Sequence, residues 1–158
     1  MAIRCSAKAI LVYEDKILLN RCEDRGRIYY DLPGGGQHAF ETMEEAVRRE
    51  VFEETGYTVR VKRFAAIAEE IFTDPFIREN YPDYAHRMLH VFTAELERPE
   101  RKTAAESDFG QTGCEWIGVE EADRLPLRPI NLCGRIKEIL TSGGCVYLGA
   151  VRVSWENY

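Results

Sequence analysis

Glu50, Glu53 and Glu54 stand at i, i+3 and i+4, a spacing that puts three carboxylates on one face of a helix. Like charges placed so cost a few tenths of a kcal/mol per pair, roughly. Glu53 and Glu54 also fall in the last turn of the helix that the surrounding residues predict. Its macrodipole is negative there and disfavours an anion by about 0.3–1 kcal/mol. A divalent cation reverses both penalties, and magnesium prefers carboxylate oxygens together with substrate phosphates. Arg49 lies beside the cluster, four residues before Glu53, where it can orient a carboxylate or screen the acidic face. Gly34, Gly35 and Gly36 precede the helix and let the backbone approach a metal or phosphate closely. The Gly-Lys-Ser/Thr of a P-loop is absent, so this is another kind of phosphate site. A solvated acidic helix face would explain one Glu-Glu pair. It does not explain the full spacing of Gly, Glu, Arg-Glu, Glu-Glu and Gly.

These residues need a frame. Thr42 and Glu45 form a Thr-x-x-Glu capping box, Ala46, Val47 and Val51 supply an apolar stripe, and Gly56 suits a left-handed helix end. The spacing predicts a helix over 43–55. Alternation from Ile3 to Leu11 predicts a strand, Glu14-Asp15 a turn, and Lys16 to Arg21 a second strand. Tyr29 to Leu32 reads as a strand end, and Pro33-Gly34-Gly35-Gly36 as a break in regular structure. Thr58 to Val61 and Ala65 to Phe72 carry one or two strands, and residues 73–87 a loop. Met88 to Leu96 is a long strand and Glu115-Trp116-Ile117 starts another. A second helix is expected over about Leu132 to Leu140, and a last strand over Val146 to Trp155. Strands mixed with an early and a late helix predict an α/β layered domain with helices on both sheet faces.

Composition bounds the partners. The 158 residues fit one domain, 1–158, and the net charge of −6 disfavours long nucleic acid, which rewards basic stripes. A bound cation can still invert the sign of a local site for an acidic substrate. No apolar run approaches the ~20 residues that span a bilayer. Cys5, Cys22, Cys114, Cys133 and Cys145 are odd in number and lack a C-x-x-C pattern, so they are expected to be reduced, mostly buried small hydrophobes in a cytoplasmic protein. A zinc site is the weaker reading.

The segment from Gly35 to Tyr57 resembles the Nudix box, Gly-x5-Glu-x7-Arg-Glu-U-x-Glu-Glu-x-Gly-U, where U is a large aliphatic residue. Gly35, Glu41, Arg49, Glu50, Val51, Glu53, Glu54 and Gly56 match in register. Tyr57 departs, being aromatic at a packing position, and Leu32-Pro33-Gly34-Gly35-Gly36 is similar to the approach to the box in family members. The resemblance implies a Nudix-type α/β/α sandwich with a mixed sheet between helices. It implies hydrolysis of the diphosphate linkage in a nucleoside diphosphate joined to another moiety, such as a nucleotide, nucleotide sugar or dinucleotide. It implies that Glu50, Glu53 and Glu54, with the Gly34 carbonyl, hold Mg2+ or Mn2+, and that Arg49 and Glu41 orient the helix and its carboxylates. In that chemistry the metal polarises phosphoryl oxygens and lowers the pKa of a bound water, which attacks phosphorus in line with the leaving oxygen. A glutamate accepts the proton. Glu53 is one candidate, and family members also take the base from outside the box.

Substrate identity stays open. Phe76, Tyr81 and Tyr84 could stack on a base and Arg78 or Arg87 could meet a phosphate, though such aromatics more often seal a loop onto the core. Glu69, Glu70 and Glu79 are remote-base candidates with surface charge as the stronger reading. Asp108-Phe109-Gly110-Gln111 could cover the site, and His38, His86 and His90 lack ligand spacing. Pro75 and Tyr81 are near, but not in register with, positions that mark particular Nudix subfamilies. The alternative function is a non-catalytic Nudix-fold nucleotide-binding or sensor module, but such modules usually lose box glutamates. An isomerase would need catalytic residues that the sequence does not display. A small-molecule partner is expected, and a homodimer is left open.

Overall fold

Glu14 and Asp15 both take positive φ, 48° and 60°, and their tight turn joins β1 (Arg4–Tyr13) to β2 (Lys16–Asp24). The two strands pair only near that turn, at Val12↔Ile17 and Tyr13↔Lys16. Beyond it they part, and the next stretch of chain fills the opening. β3 (Arg27–Asp31) runs antiparallel to β2 from Asn20 to Asp24. β4 (Gly34–Gly36) then runs antiparallel to β1 at Ser6, Ala7 and Lys8. Leu32 and Pro33 cross between the two edges. Pro33 has no N–H to offer, but its carbonyl accepts from the Ala9 amide at 2.8 Å. In this computed structural model, which describes residues 3–104 and 110–157, the expected break at 33–36 is therefore a short strand.

The helix α1 (Met43–Thr55) follows. The long β5 (Val59–Phe72), the short helix α2 (Pro75–Asn80) and β6 (His86–Leu96) come next. β7 (Gln111–Gly118), α3 (Val119–Ala122), β8 (Leu127–Arg128), α4 (Ile136–Thr141) and β9 (Val146–Val153) complete the regular elements, with 3-10 turns at Ile130–Leu132 and Trp155–Asn157. The sheet order is β8-β3-β2-β1-β6-β5-β9, with β4 also on β1 and β7 on β2. β1 and β6, β5 and β9, and β3 and β8 are parallel and the other pairs antiparallel, so the sheet is mixed.

Strand alternation builds two cores from the same strands. Ile10 of β1 and Ile17 and Leu19 of β2 join Ala122, Ile136 and Ile139 on the α3/α4 face. Ala7, Ala9 and Leu11 of β1 and Leu18 of β2 join Ala46, Val47 and Val51 of α1 on the other. Helices thus cover both faces, as expected from the sequence.

The one or two strands expected over 58–61 and 65–72 are, as the first of those alternatives has it, a single strand, β5, with irregular register at Val61/Arg63 and Phe64/Ala66. Several expectations need correction. The 73–87 loop contains α2, started by Pro75 and anchored by the buried Ile77. Phe76, Tyr81 and Tyr84 stay exposed and do not seal it. The second helix is a 3-10 turn and a shorter α4, and the last strand stops at Val153. Among the cysteines only Cys22 is buried. Cys5 and Cys114 are half-buried, while Cys133 and Cys145 are exposed. Glu70, read as a surface charge, is 0% exposed. Asp108 and Phe109 lie outside the described residues. No helix among the described residues is long and apolar enough to cross a membrane.

Candidate active site

α1 begins as its sequence dictates. Thr42 Oγ1 accepts from the Glu45 amide at 3.2 Å and the Glu45 carboxylate accepts from the Thr42 amide at 2.8 Å, completing the capping box. It ends at Gly56 with φ 76°, whose N–H reaches the Phe52 carbonyl. The apolar stripe turns Ala46, Val47 and Val51 to the sheet, and this sets where Arg49, Glu50, Glu53 and Glu54 emerge.

Arg49 is the hub. Its Nε and Nη2 donate to the two Glu41 oxygens at 2.8 and 2.9 Å, a two-pronged pairing that suits a planar guanidinium. Nη1 donates to Glu50 Oε1 at 2.8 Å and to Glu53 Oε2 at 3.0 Å, and Nη2 also donates to the Gly36 carbonyl at 3.0 Å. The guanidinium beside Glu41, helped by the His38 amide at 2.9 Å, holds that carboxyl down at about 2. The carboxylates in turn push the Arg49 pKa up.

The three glycines of β4 each meet a different charged group. Gly34 donates its N–H to Glu54 Oε2 at 2.9 Å. A side chain on Gly35 would collide with the Glu50 carboxylate, its Cβ falling 2.5 Å from Oε2, and one on Gly36 would collide with the Arg4 guanidinium. The space expected for an approaching phosphate is thus filled in part by the protein's own charges. Glu54 is 4% exposed, and its Oε2 also accepts from Asn20 Nδ2 at 2.8 Å. Asn20 itself is 2% exposed. Sequence reading missed Asn20. Its signal was a polar residue directly after the apolar run Ile17-Leu18-Leu19 of β2.

The structure therefore brings Glu41, Glu50 and Glu53 together around Arg49 and holds Glu54 apart, inside, against β2 and β4. Among the described residues no three His, Cys, Asp or Glu side chains are gathered as a metal-binding group. The donors still suit a hard divalent cation in kind. They are carboxylate oxygens, two of them delivered to a single guanidinium nitrogen, along the rim of a glycine strand. Of the remote carboxylates, Glu69 faces His86 at 2.7 Å and Glu70 pairs with Arg87. His90 is tied to the Ser6 carbonyl at 3.3 Å.

A mixed sheet covered by helices on both faces, with this acidic helix behind a glycine strand, defines a class of fold and site. The profile of the NUDIX domain matches residues 4–133, and the chain belongs to the Nudix hydrolase family. It is 30% identical over 110 residues to the phosphatase NudJ of Escherichia coli K12, which covers 68% of this chain and 63% of that protein. The chain thus spans less than two thirds of the curated relatives it matches. Among solved structures it is similar to a mutator MutT protein from Bacillus halodurans, with 26% identity and a TM-score of 0.71 over 99% of this chain and 94% of that one. An ADP-ribose pyrophosphatase from Streptococcus suis shares the fold at 20% identity and a TM-score of 0.63, covering 92% and 99%.

Proposed function

We propose that the chain is a divalent-cation-dependent hydrolase that cleaves the diphosphate linkage of a nucleoside diphosphate joined to another moiety. The observation that carries this reading is the Arg49 hub, which holds Glu41, Glu50 and Glu53 and the Gly36 carbonyl on one guanidinium. Isolated surface ion pairs contribute little to stability. A sequence that spends an arginine and three glutamates on one partly buried spot is positioning charge. The names of its relatives agree: a phosphatase, an ADP-ribose pyrophosphatase and a UDP-X diphosphatase.

In this reading Glu50, Glu53 and Glu54, with the Gly34 carbonyl, would hold Mg2+ or Mn2+. The ion supplies Lewis-acid polarisation of the phosphoryl oxygens and a nucleophilic water near neutral pH. The protein's own residues do the rest. Glu54 is fixed by Asn20 and the Gly34 amide. Glu50 is pressed against Gly35. Glu53 would take the proton of the attacking water, a role that its side-chain exposure of 28%, against 15% for Glu50, supports. Arg49, locked by Glu41, orients both Glu50 and Glu53 through one nitrogen.

A hydrolysis screen over nucleoside triphosphates, nucleotide sugars and dinucleotides tests the assignment, run with magnesium and with excess EDTA. Turnover of at least one diphosphate with magnesium, abolished by EDTA, is expected. Turnover unchanged in EDTA overturns the cation dependence, and no turnover of any diphosphate overturns the activity. Glu53→Gln should lower kcat by about 10²–10⁴-fold, the usual loss on removing a proton acceptor.

A further inference from the structure

At the start of β1, in the middle of the sheet and beside the glycine strand, two arginines stand side by side. Arg4 at the start of β1 lies opposite Arg87 of β6 in the parallel register. Directly opposed residues project to the same face of a sheet, and like charges placed so are destabilising. Arg87 has Glu70 of β5 as its own cross-strand partner, an ion pair with a fully buried carboxylate. Arg4 makes no ion pair among the described residues. Its guanidinium lies over the Tyr84 ring, 4.6 Å from the centroid, and against the α-carbon of Gly36. The same Gly36 gives its carbonyl to Arg49, so one glycine separates Arg4 from the acidic hub. A cavity of about 330 Å³ opens beside Arg4, between Ile3–Cys5, the loop 37–39 and Asp83. Glu70 compensates Arg87, so Arg4 is the guanidinium of the two that an oxyanion in the cavity would meet, with Asp83 as the one carboxylate among the described lining residues. A guanidinium also matches phosphate geometry with two parallel N–H donors.

We propose that Arg4 is the anchor for a phosphate group of the substrate, which lies in this cavity while the scissile linkage meets the Arg49 hub. The inference rests on the hydrolase reading and narrows it. The favoured substrates carry a second anionic group within reach of Gly36, and Arg4 governs affinity for it.

Inorganic pyrophosphate in EDTA-containing buffer is the probe, because it reports the arginine site without the cation. Calorimetric titration of wild type should show binding. Arg4→Gln should weaken it about tenfold or more, the loss of one charged hydrogen-bonding partner. Arg4→Lys, which keeps the charge but loses the fork, should fall between, and Glu121→Gln, on the exposed side of α3, should bind as wild type does. In phosphate-free buffer Arg4→Gln should melt close to wild type, since Arg4 makes no ion pair among the described residues and gives up only its contact with the Tyr84 ring. Absence of binding in wild type, or equal binding by both folded Arg4 variants and wild type, overturns the proposal. With an active diphosphate in hand, Arg4→Gln should raise KM and leave kcat within about twofold. If diphosphates are hydrolysed but Arg4 variants bind and turn over normally, this inference fails alone. If pyrophosphate binding depends on Arg4 but no diphosphate is hydrolysed, the hydrolase reading fails alone.

Discussion

Arg49 shows how one side chain converts sequence spacing into a site. Its two-pronged pairing with Glu41 spans the box from loop to helix, and the depressed Glu41 pKa of about 2 measures that pairing. An unfolded glutamate titrates near 4.3. The folded carboxyl titrates lower, so its stabilisation is fully present above about pH 4.5 and is lost as the pH falls towards 2. Stability of wild type should therefore drop more steeply than that of Glu41→Gln between those limits, by about 1 kcal/mol, a figure kept low because the pair remains within reach of solvent. Denaturant midpoints at stepped pH measure it, and parallel curves would show that Glu41 adds nothing. Arg49 was legible from its spacing to Glu53, and Glu41 only through the resemblance to the box. Glu70 was not read correctly, though its signal was present. It shares strand parity with Ala66, Ala68 and Phe72, all buried, so the alternation that defines β5 also turns Glu70 inward. The exposed Phe76 misled in the opposite sense, since aromatic character says nothing about which side of a short helix meets the core. Ile77 took that place.

Elements whose own residues dictate them were the readable ones. α1 carries a capping box, an apolar stripe and a glycine stop, and its observed bounds are the expected ones. β4 carries three glycines with little strand preference of their own. It is a strand because β1 has an open edge once β2 turns away, and pairing of that kind is invisible to local pattern. The end of α1 gives a sharp test. Gly56 has φ 76°, and a Cβ there would fall 1.9 Å from the Lys102 carbonyl oxygen, a backbone atom. Left-handed strain costs an ordinary residue about 1 kcal/mol, and the collision adds to it. Gly56→Ala should lose about 2–3 kcal/mol in urea unfolding. A loss under about 1 kcal/mol would mean that the segment after β6 yields freely. Glu54 separates metal chemistry from packing on the same helix. Its Oε2 accepts both the Asn20 and the Gly34 donors, so Glu54→Gln can keep both bonds and should melt near wild type while turnover falls by orders of magnitude. Glu54→Ala strands two buried donors at about 1–3 kcal/mol each. A Gln variant as unstable as the Ala variant would make Glu54 a structural residue.

The whole molecule carries a net charge of −6 yet is proposed to bind an anion, so the local field must be reversed by a few groups: Arg4 and a bound cation. Because β1 and β2 feed both cores, a cation that ties α1 to the glycine strand should register in global stability rather than in one frayed end. A ligand bound only by the folded state stabilises it by RT ln(1+[L]/Kd), about 2.7 kcal/mol at a hundredfold excess over Kd. Sodium chloride of equal ionic strength only screens exposed charges and should do far less. Arg49 already compensates Glu50 and Glu53, so in wild type the ion gains the difference between its own contacts and those it weakens. Arg49→Ala leaves those carboxylates uncompensated. Its metal-free melting temperature should fall, and its magnesium-specific rise should exceed that of wild type, whereas Glu50→Gln should show a smaller rise than either. Melting curves in magnesium chloride and in sodium chloride at matched ionic strength, with and without a non-hydrolysable nucleotide to complete the site, give all three comparisons. If magnesium and sodium act alike in every variant even with nucleotide present, the acidic face of α1 is not a metal site, and the cation-dependent mechanism goes with it.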